Sequence, residues 1–311
     1  MKSKSASITT KGTIALIVLA AIYALFGVAA RYLSVGIGVY EQWYVRLAVA
    51  FVMAAIIFHR SIEWRKFRHL PAREWWALLV RTIVGQVIGI GLFTLAAEKT
   101  EIGILAFMGA LPASSLLAII IFRDKTSWKK AALLALSFFG AVIIVINNFH
   151  DLMNFDVGAI LALLSTFFFA LMLVGRRWHT GKLNNQEITV AMLAISCVAT
   201  YILSLALYHR AFIPAVHWTP AFTWAIIASG ALSAASFFLA NYGFEHVSAV
   251  VAGNILTLEI LFGPLFGWMF YSETLSIKVI IGGIIIMASV ILMNQQARRE
   301  NAAAQIAAVP D

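Results

Sequence analysis

The sequence predicts an all-α, polytopic membrane protein in which ten transmembrane helices form two inverted five-helix repeats. Three observations predict this fold. Of the 311 residues, 62% are hydrophobic and only 12% are charged, which leaves too little polar surface for a domain that faces water. Apolar runs of about 19 to 25 residues, each able to cross a bilayer core about 30 Å thick, recur along the chain. The carboxyl half also repeats the pattern of the amino half.

The first predicted repeat occupies residues 13–147 and follows an N-terminal tail of residues 1–12. The tail contains three lysines and so resembles the start of a signal peptide, but the apolar run after it is long and no soluble domain follows. We therefore interpret that run as a retained first helix. The predicted spans of this repeat are residues 13–33, 40–58, 75–97, 101–122 and 128–147.

The second predicted repeat occupies residues 157–294 and precedes a C-terminal tail of residues 295–311. Because each unit contains an odd number of helices, a copied unit enters the membrane from the opposite side, and the two repeats are inverted. The predicted spans of this repeat are residues 157–175, 187–208, 221–243, 247–271 and 276–294.

The duplication itself is visible when residues 91–145 are laid over residues 238–294 with one two-residue gap. Identities are few, but each copy shows the end of an apolar run, a loop led by glutamate, a second run, an acidic turn and a third run. Duplication of this kind is a recurrent way to build a transporter. The equivalent pairs are Glu98 with Glu245, Leu111 with Leu258, Asp124 with Glu273, and Lys129 with Lys278.

The distribution of lysine and arginine predicts the orientation, because cytoplasmic loops hold most positive residues. We expect a multi-pass protein of the cell inner membrane with both termini in the cytoplasm. The net charge of +9 comes from basic residues scattered over loops and not gathered on one folded face, so no nucleic-acid partner is expected. With this orientation the outer segments and helix ends hold only Arg31, Lys99, Arg210 and Lys278.

Motifs that would indicate a membrane enzyme are missing from the sequence: it has no HExxH, no GxSxG, no CxxC pair and no acid-rich metal cluster. The segment GRRWHTGK, residues 175–182, comes nearest to a phosphate-binding loop. Such a loop needs four residues between its glycines and Ser or Thr after the lysine, whereas this segment has five residues and then Leu183. We expect a protein that is not an enzyme and that uses no cofactor or metal.

Polar residues inside the predicted spans are the candidates for function, because ionisable groups are costly there and usually face a cavity or pair with each other. Glu259 lies in the middle of the ninth span, five residues from both Asn254 and Pro264, too deep for a short side chain to reach either membrane surface. It could take up a proton. Alternatively, it hydrogen-bonds to neighbouring helices and holds the fold.

Arg46 lies about 9 Å along its helix from the outer end of the second span, at 1.5 Å per residue. Its side chain could bind the carboxylate of a ligand, pair with another residue, or reach the lipid headgroups. Tyr23 and Trp43 belong to an aromatic set that could form a cage for a flat ligand. The alternative is that these rings pack in the bundle or face lipid.

Four uncharged polar residues are further candidates. Asn241, Tyr242 and Asn254 surround the joint of the eighth and ninth spans, and Gln86 lies deep in the third span. They could line a polar cavity, or they could form hydrogen bonds between helices.

At these residues the chain resembles the EamA-type transporters of the drug/metabolite transporter superfamily, over residues 12–294. The ninth-span segment is the most specific, because it looks like the family's Leu-Glu-Pro start and acidic turn and places Glu259 and Glu273 at motif positions. The chain departs from the motif with Ile260 where proline is usual and with Pro264 four residues later. The resemblance rests on GAILALLSTFFFALMLVGRR (158–177), RLAVA (46–50), LPASSLLAIIIFRDK (111–125) and LEILFGPLFGWMFYSETLSIKVIIGG (258–283).

The resemblance implies ten helices in two inverted repeats, a central cavity that opens alternately to each side, and export of small metabolites such as amino acids. It implies that Glu259 is the proton or cation site. Asn241, Tyr242, Asn254 and Gln86 would be polar contacts of the substrate. The expected partners are a small-molecule substrate, a coupling proton and the lipid bilayer.

Two alternatives to an amino-acid exporter remain open. Within the family resemblance, the alternative is uptake or exchange of a nucleoside-containing metabolite such as S-adenosylmethionine. Outside it, a passive channel would also use a polar path, but it would be expected to show rings of like residues, and no such pattern appears across the ten spans.

The predicted orientation can be tested by labelling. In a Cys197→Ala background, a Lys182→Cys variant should react with a membrane-impermeant maleimide only from the cytoplasmic side, because Lys182 follows the sixth span on that side. Labelling of inside-out and of right-side-out vesicles distinguishes a cytoplasmic from an external position of residue 182. Reaction in right-side-out vesicles would invert the topology.

Overall fold

The computed structural model describes residues 2–33, 37–99, 108–124, 126–146, 157–208 and 218–307, and throughout these ranges the regular secondary structure is helical. A π-helix, Val80–Ile88, joins α3 to α4. The α-helices are α1 Lys2–Leu33, α2 Val39–Ile57, α3 Ala72–Leu79, α4 Gly89–Lys99, α5 Ala113–Phe122, α6 Trp128–Val145, α7 Val157–Val174, α8 Asn185–Tyr208, α9 Pro220–His246, α10 Ala249–Leu256, α11 Leu258–Tyr271 and α12 Ile277–Ala307.

Within the described residues, eight helical stretches are long and apolar enough to cross a membrane. The other two predicted spans correspond to α2, which has 19 residues, and to α5, a shorter apolar helix of 10 residues. The multi-pass helical architecture is therefore as predicted, while the count of ten spans stays a prediction. The eight stretches are Ile8–Ala29, Ala72–Ala96, Trp128–Val145, Val157–Trp178, Asn185–Leu207, Pro220–His246, Ala249–Tyr271 and Ile277–Glu300.

Several element boundaries differ from the predicted spans. The ninth span is broken at Thr257, between α10 and α11, and the Thr257 hydroxyl donates a hydrogen bond of 2.6 Å to the Asn254 carbonyl oxygen. In the fourth span, α5 begins only after Pro112, and residues 101–107 lie outside the described residues. The first and last helices extend into the predicted tails, because α1 begins at Lys2 and α12 continues to Ala307.

The two repeats pack mainly against each other and not within themselves. α6 of the first repeat lies along α12 of the second, α1 along α9, α2 along α8, α4 along α7 and α5 along α10. The main hydrophobic core accordingly includes Leu16 and Leu78 from the first repeat and Val250 and Met293 from the second. The repeats therefore share one core, and neither buries its apolar surface alone.

The contact between α6 and α12 depends on two glycines that face each other. A Cβ atom at Gly282 would lie 2.5 Å from the carbonyl oxygen of Gly140, and a Cβ at Gly140 would lie 2.9 Å from that of Gly282. Both distances are shorter than van der Waals contact, so only glycine allows this approach. Small residues let membrane helices pack closely in the same way.

A Gly282→Ala substitution should therefore lower the free energy of unfolding by about 1–3 kcal/mol, as overpacking of a core does. The matched control is Gly91→Ala, because nothing lies within 4 Å of a Cβ at Gly91 and alanine favours a helix by up to about 1 kcal/mol. Apparent melting temperatures in detergent should separate the two variants. Equal melting would show that the glycine contact does not limit the packing.

Candidate functional site

The carboxyl group of Glu259 lies inside the bundle, in the first turn of α11. Within the described residues it has neither a hydrogen-bond partner nor a salt-bridge partner. Although the residue is surrounded by protein, part of its surface remains accessible. Glu259 therefore faces an internal space and is not sealed against a neighbouring helix.

Tyr23 of α1 lies beside this space. It is close enough to both Glu259 and Arg81 for charge interactions, and it too is enclosed but partly accessible. Its ring centroid lies 6.2 Å from that of Phe26, one turn further along α1. Of the predicted site residues, Tyr23 and Glu259 are thus brought together by the fold.

Arg46 of α2 is only 7% exposed, and its buried Nε has no hydrogen-bond partner in the described part of the chain. Its Cζ lies 4.8 Å from the ring centroid of Phe26, which places the guanidinium over the ring face. The cation therefore rests on an aromatic ring inside the protein and is not extended to the membrane surface. We call Tyr23, Phe26, Arg46 and Glu259 the central site.

Arg81, at the start of the π-helix, is only 1% exposed, and each of its three nitrogens has a partner. Its Nε donates to the carbonyl oxygen of Met172 at 2.8 Å, and its Nη2 donates to Oδ1 of Asn241 at 2.7 Å. Its Nη1 lies 3.1 Å from Nε2 of His179. One guanidinium therefore joins the π-helix to the end of α7 and to α9.

The partners of His179 determine its tautomer. Its Nδ1 lies 2.6 Å from Oε2 of Glu74, a carboxylate that can only accept, so Nδ1 carries the proton and Nε2 accepts from Arg81. Burial lowers the pKa of His179 to about 4, and the positive charge of Arg81 acts in the same direction. Thr180 also donates to Glu74, from its backbone N–H at 2.5 Å and from its hydroxyl. We call Glu74, Arg81, His179 and Asn241 the inner network.

Two predicted polar contacts lie on α9 and the π-helix and bond to α8. Asn241 donates from Nδ2 to the hydroxyl of Thr189 at 3.3 Å, in addition to accepting from Arg81. Gln86 accepts a hydrogen bond of 2.8 Å from the hydroxyl of Ser196. Both side chains therefore connect helices, which is the structural alternative left open for them by the sequence.

Asn254, near the end of α10, is fully buried. Its Oδ1 accepts from the hydroxyl of Ser289 at 3.4 Å, whereas its Nδ2 has no partner among the described residues. Nearby, the hydroxyls of Ser137 and Thr257 lie 2.7 Å apart. Asn254 is thus part of a polar contact between α10, α12 and α6, and its NH2 group has no partner in the described chain.

Tyr242 and Trp43 contact other side chains in the described structure. Tyr242 stacks on Phe238, with ring centroids 6.1 Å apart, and lies 4.3 Å from the ring of His246, all three on one face of α9. Trp43 is partly buried and packs against the main hydrophobic core. Neither contact joins these residues to Glu259, and their role in substrate binding stays a prediction.

Ion pairs close the end of the bundle where α3 and α8 begin and α9 ends, which we call the inner end. Arg176 pairs with Glu245 at 2.9 Å, and Arg177 pairs with Asp124 at 2.7 Å. Hydrogen bonds to Glu63 and Glu187 raise the pKa of Lys66. A shallow cavity of about 270 Å³ lies among Arg176, Arg177, His179, Phe244, Glu245, His246, Val247 and Ser248.

Sequence reasoning did not connect Arg81 with Glu74 and His179. A usable signal was the spacing of Glu74 and Arg81, because residues seven apart lie on the same face of a helix. Nothing in the sequence pointed to His179, which follows the 3₁₀-helix Gly175–Trp178 after α7. Its contacts arise only when α7 packs along the π-helix.

Taken together, a multi-pass bundle of apolar helices with unpaired ionisable side chains in its interior is typical of a membrane transporter. Residues 10–146 and 156–295 each match the EamA-like transporter family. These matches cover most of the chain, one in each half, so the protein belongs to the EamA-like transporter family and is built from two EamA repeats.

Comparisons with individual proteins agree with this assignment. The chain is 30% identical over 109 residues to the uncharacterized transporter sll1164 of Synechocystis sp.; the match covers 33% of this chain and 31% of that protein, so it spans about a third of the relative's length. The fold is similar to a solved crystal structure with a TM-score of 0.75 and 13% identity, covering 94% of this chain and 98% of the other. That likeness shows the fold alone.

The low pKa of His179 predicts a pH dependence of stability. Its value of about 4 in the folded protein lies below the ordinary value near 6.5, so the unfolded chain binds the proton first as the pH falls. The contribution of His179 to the free energy of unfolding is complete above about pH 6.5 and falls by about 1.4 kcal/mol per pH unit between pH 6.5 and 4. His179→Gln should remove this part of the slope in melting curves recorded from pH 4 to 7.5.

The exposed histidine His59 provides the control for this measurement. His59→Gln should keep the pH slope of the unmodified protein. A slope that is unchanged in His179→Gln would mean that the neutral imidazole between Glu74 and Arg81 does not contribute to stability.

Proposed function

We propose that the protein is a secondary transporter that exports an amino acid or a related compound across the inner membrane by alternating access. The observation that carries this proposal is the carboxyl group of Glu259, which is enclosed, partly accessible and without a partner among the described residues. An ionisable group inside a membrane protein is costly unless a partner stabilises it. In a transporter that partner is the cargo or a coupling proton.

The pattern of helix packing supports two inverted repeats. α2 with α8, α5 with α10 and α6 with α12 each join the corresponding helices of the two repeats. The other two contacts, α1 with α9 and α4 with α7, are equivalent to each other. Exchanging the two repeats turns the contact of α1 with α9 into the contact of α7 with α4. A pseudo-two-fold axis in the membrane plane produces this pattern of contacts. Rocking of repeats related in this way about a central site gives alternating access.

Coupling to a proton is assigned to Glu259, and binding of the cargo to the internal space beside Tyr23. Three of the other predicted residues, Asn241, Asn254 and Gln86, each bond to side chains of another helix. Of these, Asn254 alone keeps a buried donor without a partner in the described residues, so it is the best candidate for a further contact with cargo. Cytoplasmic termini follow from the basic residues at the inner end.

The alternative cargo is S-adenosylmethionine, taken up or exchanged, and the non-transporter alternative is a passive channel. A channel would pass cargo without saturation and would not need a carboxyl group that gains and loses a proton. Saturation and gradient dependence therefore separate the two classes.

The test is transport by purified protein in proteoliposomes, with the twenty common amino acids and S-adenosylmethionine in labelled form, with and without a pH gradient. We expect saturable movement of at least one amino acid and a response to the gradient. Saturable movement of S-adenosylmethionine alone would change the assigned cargo from an amino acid to S-adenosylmethionine. Movement that rises linearly with concentration would indicate a channel.

Glu259→Gln should leave the protein folded and abolish the response of transport to the pH gradient, because glutamine has nearly the same shape but cannot bind or release the proton. The control is Glu300→Gln, which removes an exposed carboxylate paired with Lys130 and should not alter transport. Melting temperature in detergent checks that both variants fold. A gradient response retained in Glu259→Gln would exclude this residue from proton coupling.

A further inference from the structure

Within the described residues, Arg46 lacks the acidic partner that a buried cation normally has. The side chain is 7% exposed, and no acidic residue of the described chain pairs with it. Glu41, the nearest acidic residue along α2, instead accepts the backbone N–H of Gly38 at 3.0 Å and lies on a different face of the helix. A buried cation without a counter-charge is strongly unfavourable, so the fold keeps Arg46 ready for an anion from outside the chain.

The surroundings of Arg46 favour an anion that accepts two parallel hydrogen bonds. Phe26 lies under the guanidinium at 4.8 Å and fixes its plane, which leaves the N–H groups at the edge of that plane to bind a ligand. The guanidinium fork matches the two oxygens of a carboxylate, and two parallel hydrogen bonds add both strength and direction. A planar cation held on a ring is therefore suited to a carboxylate group.

Glu259 is the second unpaired charge and lies near Tyr23, which is on the same face of α1 as Phe26. Phe26 contacts Arg46, and Tyr23, three residues earlier on α1, lies within charge range of Glu259. Three residues of α-helix rise by about 4.5 Å. A cation and an anion thus lie beside the same helical turn of α1, and neither has a hydrogen-bond or ion-pair partner within the described residues.

We propose that Arg46 is the carboxylate-binding residue of the transport site and that Glu259 faces the ammonium group of the same cargo, so that the site selects α-amino acid zwitterions. This inference rests on the proposed transport function and specifies its substrate class. The cargo's side chain contributes to neither charge contact, so several amino acids share the site. S-adenosylmethionine carries the same two groups.

The decisive experiment compares three compounds in proteoliposomes: the amino acid that the unmodified protein moves fastest, its carboxamide, and the corresponding acid without the amino group. We expect the unmodified protein to prefer the amino acid over the carboxamide by about 10- to 100-fold in kcat/KM, as expected for a charged hydrogen-bonded pair. In Arg46→Gln, transport of the amino acid should fall by the same factor while transport of the carboxamide stays unchanged. The preference therefore disappears.

Two further variants separate binding from folding. Arg46→Lys keeps the charge but not the fork, so it should retain part of the preference. Phe26→Leu removes the ring under the guanidinium and should raise KM for the amino acid several-fold, with no effect on the carboxamide. Arg299→Gln, which changes an exposed arginine of α12, is the control and should behave like the unmodified protein. If Arg46→Gln does not fold, Arg46→Lys and Phe26→Leu decide whether Arg46 binds the carboxylate.

The outcomes distinguish this inference from the proposed function. If the unmodified protein moves an amino acid and Arg46→Gln loses acid and carboxamide equally, Arg46 is structural and the inference is overturned while the function stands. If the acid without the amino group is moved as well as the amino acid, the assignment of Glu259 to the ammonium group is overturned. If none of the three compounds moves with saturation, the proposed cargo and this inference both fail.

Discussion

Arg81 carries a positive charge into the interior of an apolar bundle, and three different elements supply the atoms that accept its N–H groups. These atoms are the Met172 carbonyl oxygen, Oδ1 of Asn241 and Nε2 of His179. Removing one partner of a buried charge typically costs about 3–5 kcal/mol, because the other is left unpaired without water. The position of α7 and α9 against the π-helix therefore depends on this guanidinium. The central site differs, since its two charged side chains, Arg46 and Glu259, have no hydrogen-bond or ion-pair partner in the described chain.

Hydropathy and periodicity were sufficient to predict the class of fold. Continuous apolar runs of about 20 residues are the length at which a helix crosses a bilayer and satisfies its own backbone, and all regular secondary structure in the described residues is helical. Hydropathy does not report interruptions within a run. The break at Thr257 and the π-helix Val80–Ile88 both lie inside continuous apolar stretches. They depend on hydrogen bonds and contacts with other helices, which a local pattern does not contain.

The site was less accessible from the sequence, because a polar residue in an apolar helix can bond to another helix or face a cavity, and both give the same pattern. Glu259 and Tyr23 lie together at an internal space, whereas Gln86 bonds to Ser196 of another helix. Arg46 and Arg81 looked alike in sequence, each a single cation in an apolar run. The packing of the other helices distinguishes them, since it surrounds Arg81 with acceptors and places only the Phe26 ring against Arg46.

Opening of the inner end, as alternating access requires, would meet two kinds of polar contact with different energies. The pair between Arg177 and Asp124 is accessible to water on both sides, with the two side chains 28% and 22% exposed, so water can replace either partner at a cost of about 0–1 kcal/mol. The contact between Arg81 and Asn241 is fully buried and has no such substitute. A rocking motion that keeps the second contact and breaks the first is therefore much less costly than one that separates both. Ligand binding can drive the motion only by its difference in affinity between the two states, typically a few kcal/mol. That amount is enough to exchange surface ion pairs for water, but it is not enough to strip a buried guanidinium of its partners.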